Sequence, residues 1–174
     1  TRISDDLLWL PYVVSRYIEV SGDYSILTES VPYLQGPALN ERQMESYFTP
    51  DSNGAQGLLI EHCLRTFSAT SAVGPHGLPL IGAGDWNDGM NEVGTHGQGE
   101  SVWLAWFQIE VINRFSSVLD AQGDHDNAAQ LRQRAVALKN AAEEHAWDGA
   151  WYRRAFYDDG TPIGSSLNDE CKID

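Results

Sequence analysis

The chain has 174 residues, enough for roughly one domain of about 150 residues with a core of its own. Hydrophobic residues make up 42 % and charged residues 21 %, a globular composition that excludes disorder as the main state. Eleven Lys and Arg against 25 Asp and Glu give a formal net charge of −14, which repels a phosphate backbone or an anionic bilayer, so no nucleic-acid partner is expected.

At the start of the chain, Ser4-Asp5-Asp6 supplies an N-cap and acidic first-turn residues ahead of Leu7, Leu10, Val14, Tyr17 and Ile18. That spacing of three and four predicts a helix over 4–21, stopped by Gly22, with Pro11 delaying its start or kinking it. The longest apolar run, Leu7 to Val14, has eight residues against the ~20 of a spanning helix, so no membrane segment is expected. Residues 31–53 carry Pro32, Gly36, Pro37, Pro50 and Asn53-Gly54 with little periodicity and read as a long irregular loop. Helix is expected again over 55–72, with Leu59, His62, Thr66 and Phe67 on one side and Val73-Gly74-Pro75 at its end; His62 reads as a hydrogen-bonded core histidine.

Leu104, Phe107, Val111, Phe115 and Val118 predict a helix over 101–122 closed by Gly123. Ala128, Leu131, Ala135, Leu138, Ala142 and His145 predict another over 125–146, antiparallel to it through a short connection. Trp151 to Tyr157 followed by the turn residues Asp158-Asp159-Gly160 predicts a small β-hairpin. Cys63 and Cys171 lack CxxC spacing and read as free thiols in a reducing, cytoplasmic compartment. The abrupt ends at Thr1 and Asp174 lead us to expect a piece of a longer chain.

The chemistry concentrates between Gly74 and Glu100, where eight of the 16 glycines lie with Trp86, two aspartates, two asparagines and two histidines over 27 residues without a period. Loops of that length inside a compact domain generally bind or catalyse something. Its centre reads Gly84-Asp85-Trp86-Asn87-Asp88-Gly89-Met90-Asn91. An indole beside carboxylates and amides suits a pyranose, whose CH face packs on the ring while its hydroxyls bond to Asp and Asn; a carboxyl desolvated by that indole suits a general acid. A structural reading stands beside it: Asp85 capping a local turn and Trp86 anchoring the loop. His76 and His96 lack zinc-type partners, so no metal is expected. Gly94–Gly99 lacks the strand and the Lys-Ser/Thr of a phosphate loop, and Asp124-His125-Asp126 lacks the turn glycine of a calcium loop. Trp103 and Trp106 at helical spacing read as core.

The motif at Gly84–Asn91 resembles the phosphorylases of glycoside hydrolase family 94, the group of cellobiose and chitobiose phosphorylases. Ser4–Leu10, Gly99–Trp103 and Asn168-Asp169-Glu170-Cys171 agree with it, while His76–Ile81 and Glu100–Leu104 look most like the phosphorylase-like domain of cyclic β-1,2-glucan synthases. The resemblance implies an all-α fold, part of an (α/α)₆ barrel with a small hairpin, in which residues 1–174 form a partial catalytic domain truncated at both ends. It implies inverting phosphorolysis of a β-linked glucan or oligosaccharide, with inorganic phosphate as co-substrate and no cofactor; whether the parent is anchored to the inner membrane stays open. Asp88 maps onto the general acid, with Trp86, Asp85, Asn87 and Asp6 as substrate-binding residues. Phosphate is already an anionic nucleophile, so the acid is the group the protein must supply. The family's upstream Arg-Asp segment and its downstream phosphate-holding residues fall outside these 174 residues. Two alternatives stay open: an inverting β-glucan hydrolase with Asp85 or another carboxylate as base, and a carbohydrate-binding piece without turnover. A partial barrel also leaves apolar faces uncovered, so self-association is expected.

Overall fold

In the computed structural model, which describes residues 1–40, 43 and 45–166, a 3-10 turn, Asp6–Leu8, runs into helix α1, Trp9–Ser21. The helix starts later than residue 4, and Pro11 explains the delay. It occupies the third helical position, inside the first turn, where a backbone N–H has no intrahelical acceptor to lose. Gly22 closes α1 at φ 70°, a left-handed conformation, and its N–H donates to the Ile18 carbonyl at 2.8 Å.

The expected loop over 31–53 is in part a hairpin. Strand β1, Ser30–Gln35, pairs antiparallel with β2, Asp51–Leu58, from Ser30 opposite Leu58 to Gln35 opposite Asp51. The register slips between Pro32 and Leu34, and Gly54 on the facing strand takes φ 81°. Most of its residues are exposed, so there was no alternation of apolar and polar positions to betray the strands. Helix α2 therefore spans Leu59–Ala69 rather than 55–72, and Glu61 caps its start by accepting from the Leu58 N–H at 2.7 Å.

Helices α3, Val102–Ala121, and α4, His125–Ala141, fall where the periodicity puts them, and a π turn, Ala142–Ala146, extends α4. Ser101 caps α3 through the Leu104 N–H, and Asp124 caps α4 through the Asn127 N–H. Their facing sides share one core with α1 and α2, in which Val14, Ile18, Cys63, Phe67, Leu104, Phe115, Leu119 and Leu138 are buried. The predicted C-terminal hairpin is present as β4, Ala155–Phe156, and β5, Pro162–Ile163, joined by a turn in which the Tyr157 N–H donates to the Thr161 carbonyl. β4 also pairs with β3, Glu100–Ser101, in a three-stranded antiparallel sheet ordered β3-β4-β5.

The four expected helices and the small hairpin are thus present, and the β1–β2 hairpin and strand β3 add strand that the all-α expectation left out, giving two small antiparallel sheets among the described residues. No described helix is long and apolar enough to cross a membrane. Helix α1 buries Pro11, Val14 and Ile18 on one side yet leaves Leu10, Val13, Tyr17 and Val20 between 37 % and 78 % exposed on another.

Candidate functional site

Residues 70–99 form an irregular loop, stitched to three neighbours, where the sequence predicts one over 74–100. Its first arm folds back on itself through a bridge between Val73 and Pro79, and Glu100 fastens it there. The Glu100 side chain is buried, accepts from the His76 and Leu78 backbone N–H groups at 3.0 and 3.1 Å, and lies 2.5 Å from His76 Nδ1. His76 stacks on Phe156, and a Cβ at Gly74 would collide with the Glu100 carboxyl, so this glycine is required by close approach. The last arm is held by Asp158, which accepts from the His96, Gln98 and Gly99 N–H groups at 2.7–2.9 Å.

The middle of the loop meets the chain start. Ala83 N–H donates to the Arg2 carbonyl, Ser4 N–H and Oγ donate to the Gly84 carbonyl, and Ile3 bridges Gly82. The segments around Ser4–Leu10 and Gly84–Asn91, singled out separately in the sequence, are therefore adjacent. A Cβ at Gly82 would sit 2.3 Å from the Arg2 carbonyl oxygen.

Asp85 is wholly buried. Its Oδ1 accepts from Arg154 Nη2 at 2.6 Å and from the Asn87 N–H at 3.1 Å; its Oδ2 accepts from Arg154 Nη1 at 2.8 Å and from Ser101 Oγ at 2.5 Å. The carboxylate thus faces protein donors, in the bidentate geometry that makes Arg–carboxylate pairs strong. Trp86, next along, is 51 % exposed. Its ring lies 6.1 Å from Trp103, which stacks on Phe107 at 5.2 Å; Phe107 touches Trp9 at 4.7 Å, and Trp9 touches Tyr12. A continuous run of aromatic rings thus crosses from the loop over α3 to α1. Trp103 and Trp106, expected in the core, are half-buried.

Asn87 is half-buried and caps a short 3-10 turn, Asp88–Met90, its Oδ1 accepting from the Gly89 N–H at 3.0 Å. Asp88 opens that turn and is exposed, while Met90 is buried and anchors its end. The described residues do not bury the Asp88 carboxyl against the indole as the sequence argument sought. Asp6 is exposed in the turn before α1, beside a buried Asp5. Asp5 Oδ2 accepts from Trp9 Nε1 at 2.8 Å, and its Oδ1 has no hydrogen-bond partner among the described residues. Burial pushes the Asp5 carboxyl above its ordinary value, against the pull of the Trp9 indole and with the nearby Asp6 and Asp85 charges adding to the rise.

His62, half-buried, bonds through Nε2 to the Val31 carbonyl at 3.1 Å and stacks on Tyr33, as a structural histidine does. Among the described residues no group of three or more His, Cys, Asp or Glu side chains is arranged to hold a metal ion. Asn168–Cys171 lies outside the described residues. Sequence reasoning missed Arg154, Glu100 and Asp158, whose partners lie 69, 24 and about 60 positions away. The one available signal was an arginine inside a strand of bulky residues, where a buried charge requires a partner.

The profile of the "Glycosyl hydrolase 94 superfamily, catalytic domain" covers residues 1–174, and the chain belongs to that family. It is 47 % identical over 175 residues to the cyclic beta-(1,2)-glucan synthase NdvB of Rhizobium meliloti (strain 1021), covering all of this chain and 6 % of that protein. It is 34 % identical to a solabiose phosphorylase of Paenibacillus borealis, covering 98 % of this chain and 20 % of that enzyme. An N,N'-diacetylchitobiose phosphorylase of Vibrio furnissii is 27 % identical, with 98 % and 19 % covered. The chain thus spans a fifth or less of the length of these relatives.

Proposed function

We propose that residues 1–174 are one segment of a longer enzyme with an (α/α)₆ barrel, which cleaves a β-linked glucan or oligosaccharide with inorganic phosphate. In this reading Asp88 is the general acid. A phosphate oxygen attacks the anomeric carbon from the face opposite the glycosidic bond as the carbon–oxygen bond breaks. The Asp88 proton passes to the departing sugar oxygen, and the proton that phosphate loses to solvent restores the acid. The products are an α-sugar 1-phosphate and a shortened sugar chain, with the anomeric centre inverted.

The observation that carries the reading is the arrangement of Asp85, Trp86, Asn87 and Asp88. A buried carboxylate anchors the segment while an indole and a second carboxylate stand exposed within three residues of it. The aromatic run from Trp86 to Tyr12 supports a sugar-binding role, because pyranose CH faces pack on such rings. In this reading Asn87 and Asp6 offer polar contacts to hydroxyls.

Phosphate needs converging cations or N–H groups, and the guanidinium nearest the loop centre, that of Arg154, is committed to Asp85. The phosphate-holding residues therefore belong to the remainder of the enzyme, and the 174-residue chain alone is expected to bind phosphate weakly and to be inactive.

The test is the full-length enzyme with Asp88→Asn, which keeps the side-chain shape and removes the transferable proton. Turnover is expected to fall by about 10²–10⁴-fold while sugar binding persists. Near-normal phosphorolysis by the variant would rule Asp88 out. Release of α-sugar 1-phosphate is expected only with phosphate present, and phosphate-independent hydrolysis at a comparable rate would establish the hydrolase instead.

A further inference from the structure

We propose that Arg154 and Ser101 are positioning residues for Asp88, acting through Asp85; this rests on the assignment of Asp88 as the acid. The path is short and continuous. Arg154 is itself fixed, its backbone N–H donating to the Ile163 carbonyl at 2.8 Å and its carbonyl accepting from the Val102 N–H at 3.2 Å. Its guanidinium, carried by the residue just before β4, grips both oxygens of Asp85. Ser101 has two duties: its hydroxyl donates to Asp85 while its oxygen accepts from the Leu104 N–H, so the first turn of α3 is tied to the same carboxylate.

From Asp85 the order passes to the Asn87 N–H, from the Asn87 side chain to the Gly89 N–H, and from the Asn87 carbonyl to the Met90 N–H. Asp88 lies inside this bracket, with donors fixed on both sides of it. The surrounding backbone would not hold it unaided, since Gly82 and Gly84 have φ of 62° and 138° and Gly89 follows directly. A general acid displaced by about 1 Å loses much of its effect, so a buried lock two or three residues away governs proton delivery rather than sugar affinity.

General-acid assistance matters in proportion to how poor the leaving group is, which separates positioning from generic destabilisation. In the full-length enzyme, Arg154→Lys and Ser101→Ala are compared with wild type on the β-glucan and on β-glucosyl fluoride, whose departing fluoride needs little protonation. The expected result is a loss of about 10²-fold or more in kcat on the glucan against less than about tenfold on the fluoride, with KM for phosphate unchanged. Ser101→Ala keeps the ion pair and serves where Arg154→Lys does not fold, as judged by thermal unfolding.

Equal losses on both substrates, or no loss on either, would overturn the proposal. Asp88→Asn run in parallel separates the two readings. If it shows the glucan-selective loss and neither lock variant does, positioning fails alone; if it retains glucan turnover, the acid assignment fails first.

Discussion

The Asp85–Arg154 pair sets the energetics at the level of single side chains. Both partners are almost entirely out of solvent, and removing one member of such a pair leaves an uncompensated buried charge at a cost of about 3–5 kcal/mol. Asp5 is the opposite case: buried, with one oxygen unpartnered among the described residues and two acidic neighbours. Because its pKa is raised on folding, its ionised form opposes folding at neutral pH, and the penalty disappears as pH falls through the raised value. Asp5→Asn keeps an acceptor for the Trp9 indole and removes the charge. The variant is expected to unfold at a higher temperature than wild type at pH 7, with the gain shrinking toward pH 4 and below. An unchanged or lower unfolding temperature at pH 7 would count against this account.

Among the elements, α3 and α4 were legible because their apolar residues step by three and four, and because Gly123 marks the join. The β1–β2 hairpin was not, since it covers little of the core and so imposes no alternation; Ala55 to Leu58, expected as the start of the second helix, belongs to its second strand. At the site, the glycine-rich loop and the exposed Trp86 and Asp88 stood out locally. Their supports did not, because Arg154 and Asp158 reach them from a hairpin some sixty residues on. Asp158 makes that dependence measurable. Partial burial works against its ionisation, yet the N–H groups of His96, Gln98 and Gly99 outweigh it and hold the carboxyl below the usual carboxylate range. A depressed pKa contributes stability above the ordinary value near 4, lost as pH falls through the depressed one. Amide hydrogen exchange at His96, Gln98 and Gly99 is therefore expected to accelerate below about pH 4 ahead of the core of α3, after correction for the intrinsic rate. Protection of these three amides that fell only together with the α3 core would argue that the carboxylate is not what closes this arm.

For the whole molecule, the feature with the largest consequence is the second apolar stripe of α1, where Val13 is 58 % and Val20 78 % exposed. In the longer enzyme of our proposal, further helices cover this face. The 174-residue chain alone is expected to bind an apolar dye and to self-associate as its concentration rises, and Val13→Lys with Val20→Lys is expected to reduce both. Sedimentation as a concentration-independent monomer without dye binding would show the stripe to be harmless.

The hairpin that carries Arg154 and Asp158 also gives the chain a timetable. A ribosome makes the loop first and its fasteners last: 69 residues separate Asp85 from Arg154, roughly 3–14 s of synthesis at about 5–20 residues per second. Through that interval the helices have most of their own core, while the Gly82–Gly99 segment lacks both its ion pair and the Asp158 carboxylate. A chain ended at residue 150 reproduces that interval in a tube. It is expected to keep its helical circular dichroism yet to be cut by protease within 82–99 faster than the full 174 residues; equal cleavage rates would mean the loop closes without waiting for its hairpin. The nascent polypeptide is thus expected to form its helices before its loop is fastened.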